Sequence, residues 1–259
     1  MIVDLHNHTP LCNHAKGSPR EFVENAIAQK IDVFGFSDHA PMDFDKGYRM
    51  SFDEMDSYEA EIRELKNEFK NKIDIKLAYE ADYLPGLMDK RVFDADVDYL
   101  IGSVHFIGEW GFDNPEFIGY YKGKNADETW EEYFRLIGEM AKMGVFNVVG
   151  HMDLLKVFNF KPSKDTAKLA MKALEEIKKA GMAIEINASG FRKPVAEAYP
   201  SNELLKAALD FEIPITFGSD SHSPEHIGFK LRENMQSAKE LGFKEYAYFE
   251  GRQMRLINF

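Results

Sequence analysis

Residues 1–21, MIVDLHNHTPLCNHAKGSPRE, combine an apolar run, a cluster of histidines and a helix start. Three of the eight histidines, His6, His8 and His14, lie in this stretch beside the only cysteine, Cys12. The opening MIVDL has the short, β-branched character of a buried strand. The closing Ser-Pro-Arg-Glu is typical of a helix N-terminus, with an N-cap serine, a following proline and a glutamate that closes a capping box. The stretch therefore predicts a strand and a helix joined by a histidine-rich loop.

The same alternation of strand and helix continues along the chain. The predicted strands, rich in β-branched and aromatic residues, are residues 1–5, 33–37, 73–78, 99–104, 146–150, 183–186 and 213–218. Amphipathic segments predict helices that begin near residues 18, 51, 126, 163 and 201, the fourth ending at Gly181. Residues 107–124, rich in glycine and aromatic residues, predict a long functional loop. Because strands alternate with helices and no linker or repeat interrupts them, we predict a single α/β domain over residues 1–259.

Composition and charge limit the class of protein. A net charge of −12, from 32 basic and 44 acidic residues, disfavours binding to nucleic acid or to an anionic membrane. The single cysteine cannot form an intramolecular disulfide, and we find neither a signal peptide nor a membrane span. We therefore expect a cytoplasmic protein that acts on a small molecule. The sequence leaves its oligomeric state open.

Residue types that bind metals follow the predicted strands. They are His6, His8, Asp38, His39, Glu80, Asp82, His105, His151, Asp153, Glu185, Asp220 and His222. Because the carboxyl ends of the strands meet on one face of a parallel α/β barrel, we expect these side chains to meet there. Desolvated carboxylates repel one another unless cations lie between them. The pattern predicts a divalent metal site, and its mixed nitrogen and oxygen donors suit zinc, iron or manganese.

Other polar residues have a simpler alternative explanation. A lone histidine at a strand end is more often structural than a ligand, so the metal hypothesis depends on the whole set. His226 is interpreted as a loop or supporting residue, and Cys12 as a small loop residue. Arg192 and Lys193 follow the sixth predicted strand, where a guanidinium and an ammonium could bind phosphate oxygens. The alternative for this pair is a solvated basic loop.

The motifs at these positions resemble those of the polymerase and histidinol phosphatase (PHP) family of metal-dependent phosphoesterases. They are DLHNH at 4–8, His14, SDH at 37–39, YEADY at 79–83, GSVHF at 102–106, GHMD at 150–153 and GSDSH at 218–222. The stretches YEADYLPG, GHMDLLKVF and NASGFRKPVAEAYPS are most similar to the monofunctional histidinol-phosphate phosphatases of that family. The resemblance implies a distorted (β/α)7 TIM-like barrel with two to three divalent metal ions at the C-terminal ends of its strands.

The resemblance also implies a role for each site residue. One metal would be held by His6, His8, Glu80 and Asp220; a second by Glu80, His105 and His151; and a third by His14, His39 and His222. Glu80 would bridge two ions, and Arg192 and Lys193 would bind the phosphate of the substrate. The proton donor to the leaving alcohol is left open between Asp153 and a water molecule on a metal.

The activity implied by the resemblance is hydrolysis of L-histidinol phosphate to L-histidinol and phosphate in histidine biosynthesis. Three alternatives remain: hydrolysis of another small phosphomonoester or nucleotide, a noncatalytic metal-binding module, and a metal-dependent amidohydrolase. The last is disfavoured because no lysine lies at a strand end. Candidates for recognising the amino-imidazole half of the substrate are Asp43, Tyr48, Trp110 and Phe112.

Overall fold

The computed structural model describes residues 1–259 and contains eleven strands and seven α-helices. The strands are Val3–Asp4 (β1), Val33–His39 (β2), Asp74–Asp82 (β3), Tyr99–Ser103 (β4), Phe106–Ile107 (β5), Trp110–Gly111 (β6), Val148–Val149 (β7), Ala183–Asn187 (β8), Ile215–Gly218 (β9), Glu245–Glu250 (β10) and Gln253–Asn258 (β11). The α-helices are Pro19–Ala28 (α1), Met55–Phe69 (α2), Lys90–Phe93 (α3), Ala126–Lys142 (α4), Thr166–Ala180 (α5), Asn202–Asp210 (α6) and Leu231–Leu241 (α7). None of the helices has the combined length and apolar character needed to cross a bilayer.

Seven strands form one parallel sheet in the order β1-β2-β3-β4-β7-β8-β9. The two edges of the sheet approach each other, because the Leu5 amide donates to the Phe217 carbonyl oxygen at 2.9 Å. A parallel bridge between Asn7 and Ser221 continues this seam. The sheet is therefore a nearly closed barrel, which confirms the predicted α/β barrel and all seven predicted strands.

A buried carboxylate holds the seam between β1 and β9. Asp4 accepts hydrogen bonds from the backbone amide of Ser219 at 2.8 Å and from its hydroxyl at 2.6 Å. The Gly228 amide, ahead of α7, donates to the same carboxylate at 3.3 Å. Because Asp4 is fully buried, these donors replace the water that its carboxylate loses on folding. One side chain thus ties three separate chain segments together.

The predicted helix starts are largely confirmed. Ser18 caps α1 in a reciprocal capping box, with its amide donating to the Glu21 carboxylate at 2.6 Å. The predicted helix start at residue 163 is wrong, since α5 begins at Thr166 with Asp165 as its N-cap. Ser163 lies ahead of this cap, and its amide and its hydroxyl both donate to the Asp127 carboxylate of α4, each at 2.7 Å.

The helices α3 and α7 were not predicted from the sequence, and two further regions contain more structure than the sequence pattern indicates. The predicted loop 107–124 contains a short antiparallel hairpin, β5 and β6, and a 3-10 helix, Pro115–Tyr121. After α7, β10 and β11 form an antiparallel hairpin that packs against β4 and β9. In this contact the Thr216 hydroxyl donates to the Ala247 carbonyl oxygen at 2.7 Å, and the Phe249 and Tyr99 ring centroids are 5.7 Å apart. The site-bearing ends of the strands remain open.

Tyr99 on β4 reaches across the barrel interior and requires a glycine at position 35 of β2, two strands away. The Tyr99 hydroxyl donates to the Leu5 carbonyl oxygen at 2.5 Å, and a Cβ atom on Gly35 would lie 1.8 Å from that hydroxyl. Overpacking of this kind typically costs about 1–3 kcal/mol. We predict that Gly35→Ala lowers the free energy of unfolding by about 2 kcal/mol or more in urea denaturation.

Tyr99→Phe provides the matched test of this steric account. Removing the hydroxyl relieves the shortest contact, so the double variant should lose less stability than the sum of the two single variants. Strictly additive losses would show that the Tyr99 hydroxyl is not what requires a glycine at this position.

Candidate metal centre

Seven of the eight histidines converge at the carboxyl ends of the barrel strands. The closest ring centroids are His8 and His222 at 4.0 Å, His8 and His39 at 4.4 Å, and His14 and His222 at 4.5 Å. His6 and His8 are fully buried beneath a cavity of about 570 Å³ that the other five histidines line. The convergence expected from the strand ends is therefore present.

Glu80, at the end of β3, lies at the centre of the imidazoles. Its Oε1 is 2.8 Å from Nε2 of His151, and its Oε2 is 3.1 Å from Nδ1 of His39 and 3.3 Å from Nε2 of His6. The Ser103 hydroxyl on β4 donates to Oε1 at 2.6 Å. A carboxylate that is 1% exposed and contacts imidazoles on both oxygens is placed to bridge two cations.

A second layer of carboxylates orients the imidazoles. Nδ1 of His6 is 2.7 Å from Glu185 Oε1, and Nδ1 of His105 is 2.7 Å from Asp82 Oδ1. Because an ionised carboxylate only accepts, each of these Nδ1 atoms carries a proton, which leaves Nε2 as the nitrogen that can bind a metal once it has lost its own proton. This is the arrangement that prepares histidine to bind a metal. It gives Glu185 and Asp82 a positioning role.

The donor atoms fit divalent metal ions. Nε2 of His6, His8 and His222 is buried without a hydrogen-bond partner, so each lone pair is available to a cation. The groups whose ligand atoms all lie within 4.8 Å of one another are His14, His39 and His222; Glu80, His105 and His151; His6, His8 and Glu80; His6, His151 and Asp220; and His8, Cys12 and His222.

These groups can be compared with the predicted partition among three ions. The first two coincide with the sets expected for the third and second ions. The ligands expected for the first ion divide between the third and fourth groups. The fifth group brings in Cys12, whose pKa is raised by burial and by the neighbouring Asp38. The assignment of ligands to individual ions stays a prediction.

The charges of the imidazoles and carboxylates are strongly coupled. Although burial raises it, the pKa of Glu80 is held well below its usual range by His6, His39 and His105. Burial lowers the pKa of His105, but Asp82 and Glu80 outweigh this effect and raise it to about 10. Protons on the imidazoles thus offset the buried negative charge, and a metal ion binds in competition with them.

Arg192 borders the cavity beside Asp220. One of its terminal nitrogens donates to the carbonyl oxygens of Ser219 and Asp220 at 2.9 and 2.8 Å, and its guanidinium carbon lies 5.2 Å from the Phe229 ring centroid. The other terminal nitrogen is buried and has no partner. Lys193 is exposed at the same rim. The guanidinium is thus held in place with one donor left for an anion.

Asp153 lies away from this cavity, although it follows His151 by only two residues in the GHMD motif. Its Oδ2 accepts hydrogen bonds from the Lys156 ammonium and the Ser201 amide, both at 2.9 Å. The side chain lines a separate cleft beside Trp130. Although Lys156 opposes the effect, burial raises the pKa of Asp153. In this position Asp153 joins the loop after β7 to the start of α6.

Several cavity residues were not singled out as site residues by sequence analysis. The additional residues at the rim and wall are Asp45, Arg49, Phe106, Asp113, Asn114, Phe117 and His226. Of the candidates for recognising the amino-imidazole half, Tyr48 lines the cavity, whereas Trp110 and Phe112 are buried in the apolar core and Asp43 is an exposed partner of Lys46. Asp113, Asn114 and Phe117 belong to the segment 107–124, whose glycine and aromatic content had already predicted a functional loop.

Comparison with known proteins identifies the family. Residues 4–189 match the PHP domain model. A probable histidinol-phosphatase of Deinococcus radiodurans is 38% identical over 93% of this chain and 94% of its own length. The histidinol-phosphatase of Bacillus subtilis is 29% identical over 87% of this chain and 95% of its own length. The chain belongs to the PHP family.

A solved structure supports the fold and the character of the site. The histidinol phosphate phosphatase of Lactococcus lactis, complexed with zinc, L-histidinol and phosphate, superposes with a TM-score of 0.82 at 26% identity. The match covers 98% of each chain. The TIM-like PHP barrel predicted from the motifs is therefore confirmed.

The Asp82–His105 contact leads to a prediction about metal affinity. Loss of a carboxylate that orients a ligating histidine typically weakens metal binding about 10- to 100-fold. We predict a loss of this size for Asp82→Asn, measured by zinc titration against a competing chelator. Asp210→Asn, on the exposed end of α6, is the matched control and should bind like the wild type. Equal affinities in all three proteins would contradict the positioning role of Asp82.

Proposed function

We propose that the protein is a metal-dependent phosphomonoesterase that hydrolyses L-histidinol phosphate to L-histidinol and phosphate, a step of histidine biosynthesis. The observation that carries the proposal is one cavity that joins a cluster of imidazoles and carboxylates to the unpartnered guanidinium nitrogen of Arg192. The first element suits divalent cations and the second suits a phosphate oxygen. The names of the relatives support this substrate.

The proposed ligands are the nine residues expected from the motifs. They are His6, His8, His14, His39, Glu80, His105, His151, Asp220 and His222. Divalent metal ions in such a site supply Lewis acidity, which lowers the pKa of water and offsets the charge of phosphate oxygens. Zinc is favoured because the Lactococcus lactis protein is complexed with it, and two to three ions is the number that the family motifs imply.

The protein's own residues contribute orientation and charge. The unpartnered terminal nitrogen of Arg192 donates a hydrogen bond to a non-bridging phosphate oxygen, and Lys193 adds a positive charge at the rim. Glu185 and Asp82 hold the imidazoles of His6 and His105 so that each Nε2 points towards the Glu80 carboxylate. The mechanism assigns no proton transfer to Asp153, because Lys156 and Ser201 hold its carboxylate outside the cavity.

Phosphate release from purified protein tests this proposal. L-histidinol phosphate should be preferred to p-nitrophenyl phosphate and to mononucleotides, with two to three metal ions bound per chain on the same sample. Preference for another ester would support the assignment as a phosphatase but contradict the assigned substrate. Bound metal without turnover of any phosphate ester would indicate a noncatalytic metal-binding module.

The bridging position of Glu80 predicts a coupled loss of metal and activity. Glu80→Gln removes the charge that faces His6, His39 and His151, so metal content should fall and turnover should drop to background. Metal analysis and phosphate release on one preparation measure both effects. Near-normal turnover with a full complement of metal would exclude the bridging role.

Arg192 predicts a change in substrate binding. Arg192→Ala should raise the KM for L-histidinol phosphate about tenfold, because it removes a charge-assisted hydrogen bond. Metal content must be compared, since Arg192 also holds the Asp220 carbonyl oxygen. Lys193→Ala, at an exposed neighbouring position, should have the smaller effect. Unchanged KM and kcat in Arg192→Ala would refute the phosphate-binding role.

A further inference from the structure

One carboxylate in the cavity wall has no partner. The carboxylates that line the cavity are Asp45, Glu80, Asp82, Asp113 and Asp220. Glu80 and Asp220 face imidazoles, while Arg49 pairs with Asp82 at 3.0 Å and with Asp45 at 3.5 Å. Asp113 is half-buried, yet it has no hydrogen bond and no ion pair. An unpaired carboxylate in a cavity wall favours a ligand that supplies the opposite charge.

The backbone on both sides of Asp113 is fixed. Phe112 is fully buried, its amide donates to the His105 carbonyl oxygen at 3.2 Å, and its carbonyl oxygen accepts from the Tyr121 hydroxyl at 2.9 Å. On the other side, the Asn114 side chain accepts from the Glu116 amide at 2.9 Å and caps the 3-10 helix. Asp113 is therefore held at the cavity wall before a ligand arrives, which reduces the entropy cost of binding.

The charge of Asp113 acts inside the cavity. Its side chain lines the same cavity as His105 and Arg192. Arg192, the proposed phosphate ligand, lies on the segment after β8, whereas Asp113 lies on the segment after β6. The two groups form no ion pair with each other, so each can bind one end of a ligand that carries both charges.

We propose that Asp113 binds the ammonium group of the substrate and makes the enzyme selective for phosphomonoesters of amino alcohols. The inference rests on the proposed function and adds the residue that recognises the leaving group. The ammonium is the better partner at neutral pH, since an α-amino group has a reference pKa of about 7.7–8.0 and an imidazole one of about 6.5. Asp113 thus separates phosphate esters that carry an ammonium group from those that do not.

The test compares substrates with and without the ammonium group. kcat/KM is measured for L-histidinol phosphate and for 3-(imidazol-4-yl)propyl phosphate, which lacks only the amine. Asp113→Asn should lower the ratio of the two values about tenfold, mainly through the KM for L-histidinol phosphate. Asp113→Glu should recover part of the ratio. Glu116→Gln, an exposed carboxylate on the same segment, is the matched control and should keep the wild-type ratio.

The ratio distinguishes recognition from structural damage. A disturbed loop, lost metal or a contact of Asp113 with the imidazole would lower both kcat/KM values by the same factor and leave the ratio unchanged. An unchanged ratio therefore overturns the inference. Failure of the wild type to hydrolyse L-histidinol phosphate, with turnover of another ester, would instead overturn the proposed function and the inference with it.

Discussion

The structure depends on keeping negative charge inside a barrel. Glu80 is 1% exposed and has imidazoles on both carboxylate oxygens, and Asp220 lies 3.2 Å from Nε2 of His8. Neither carboxylate would remain ionised in such a place without positive charge beside it. The imidazoles supply that charge when they are protonated, and divalent cations supply it when the same nitrogens act as ligands. Protons and metal ions therefore compete for the same imidazole nitrogens at the base of the cavity.

The barrel meets this requirement by placing proposed ligands and the carboxylates that orient them at the carboxyl ends of its strands. β3 supplies Glu80 at its end and Asp82 as the partner of His105, and β8 supplies Glu185 as the partner of His6. Because parallel strands place their carboxyl ends on one face, residues far apart in sequence become neighbours without long side chains. His151 and Asp220 have φ values of 23° and 52°, so two proposed ligands also have left-handed backbone conformations. Such strain concentrates at functional sites.

Sequence analysis predicted the barrel and the convergence of the histidines because both follow from a repeated pattern of apolar run and metal-binding residue. It could not place Asp153, since the sequence does not show that Lys156 and Ser201 would hold that carboxylate outside the cavity. Asp113 was missed for a different reason. Its segment has no strand or helix periodicity, and only the path of the β5–β6 hairpin decides which polar side chain faces the cavity. Local patterns predict elements better than they predict the direction of loop side chains.

The seam between β1 and β9 has a consequence for synthesis on the ribosome. β1 pairs with β2 on one side, but its other neighbour, β9, is translated more than two hundred residues later. Throughout that interval the Asp4 carboxylate lacks its Ser219 donors, and His8 and His14 lack His222. Contacts between distant segments form late because loop closure must precede them. The proposed metal site is therefore complete only after the nascent barrel has closed.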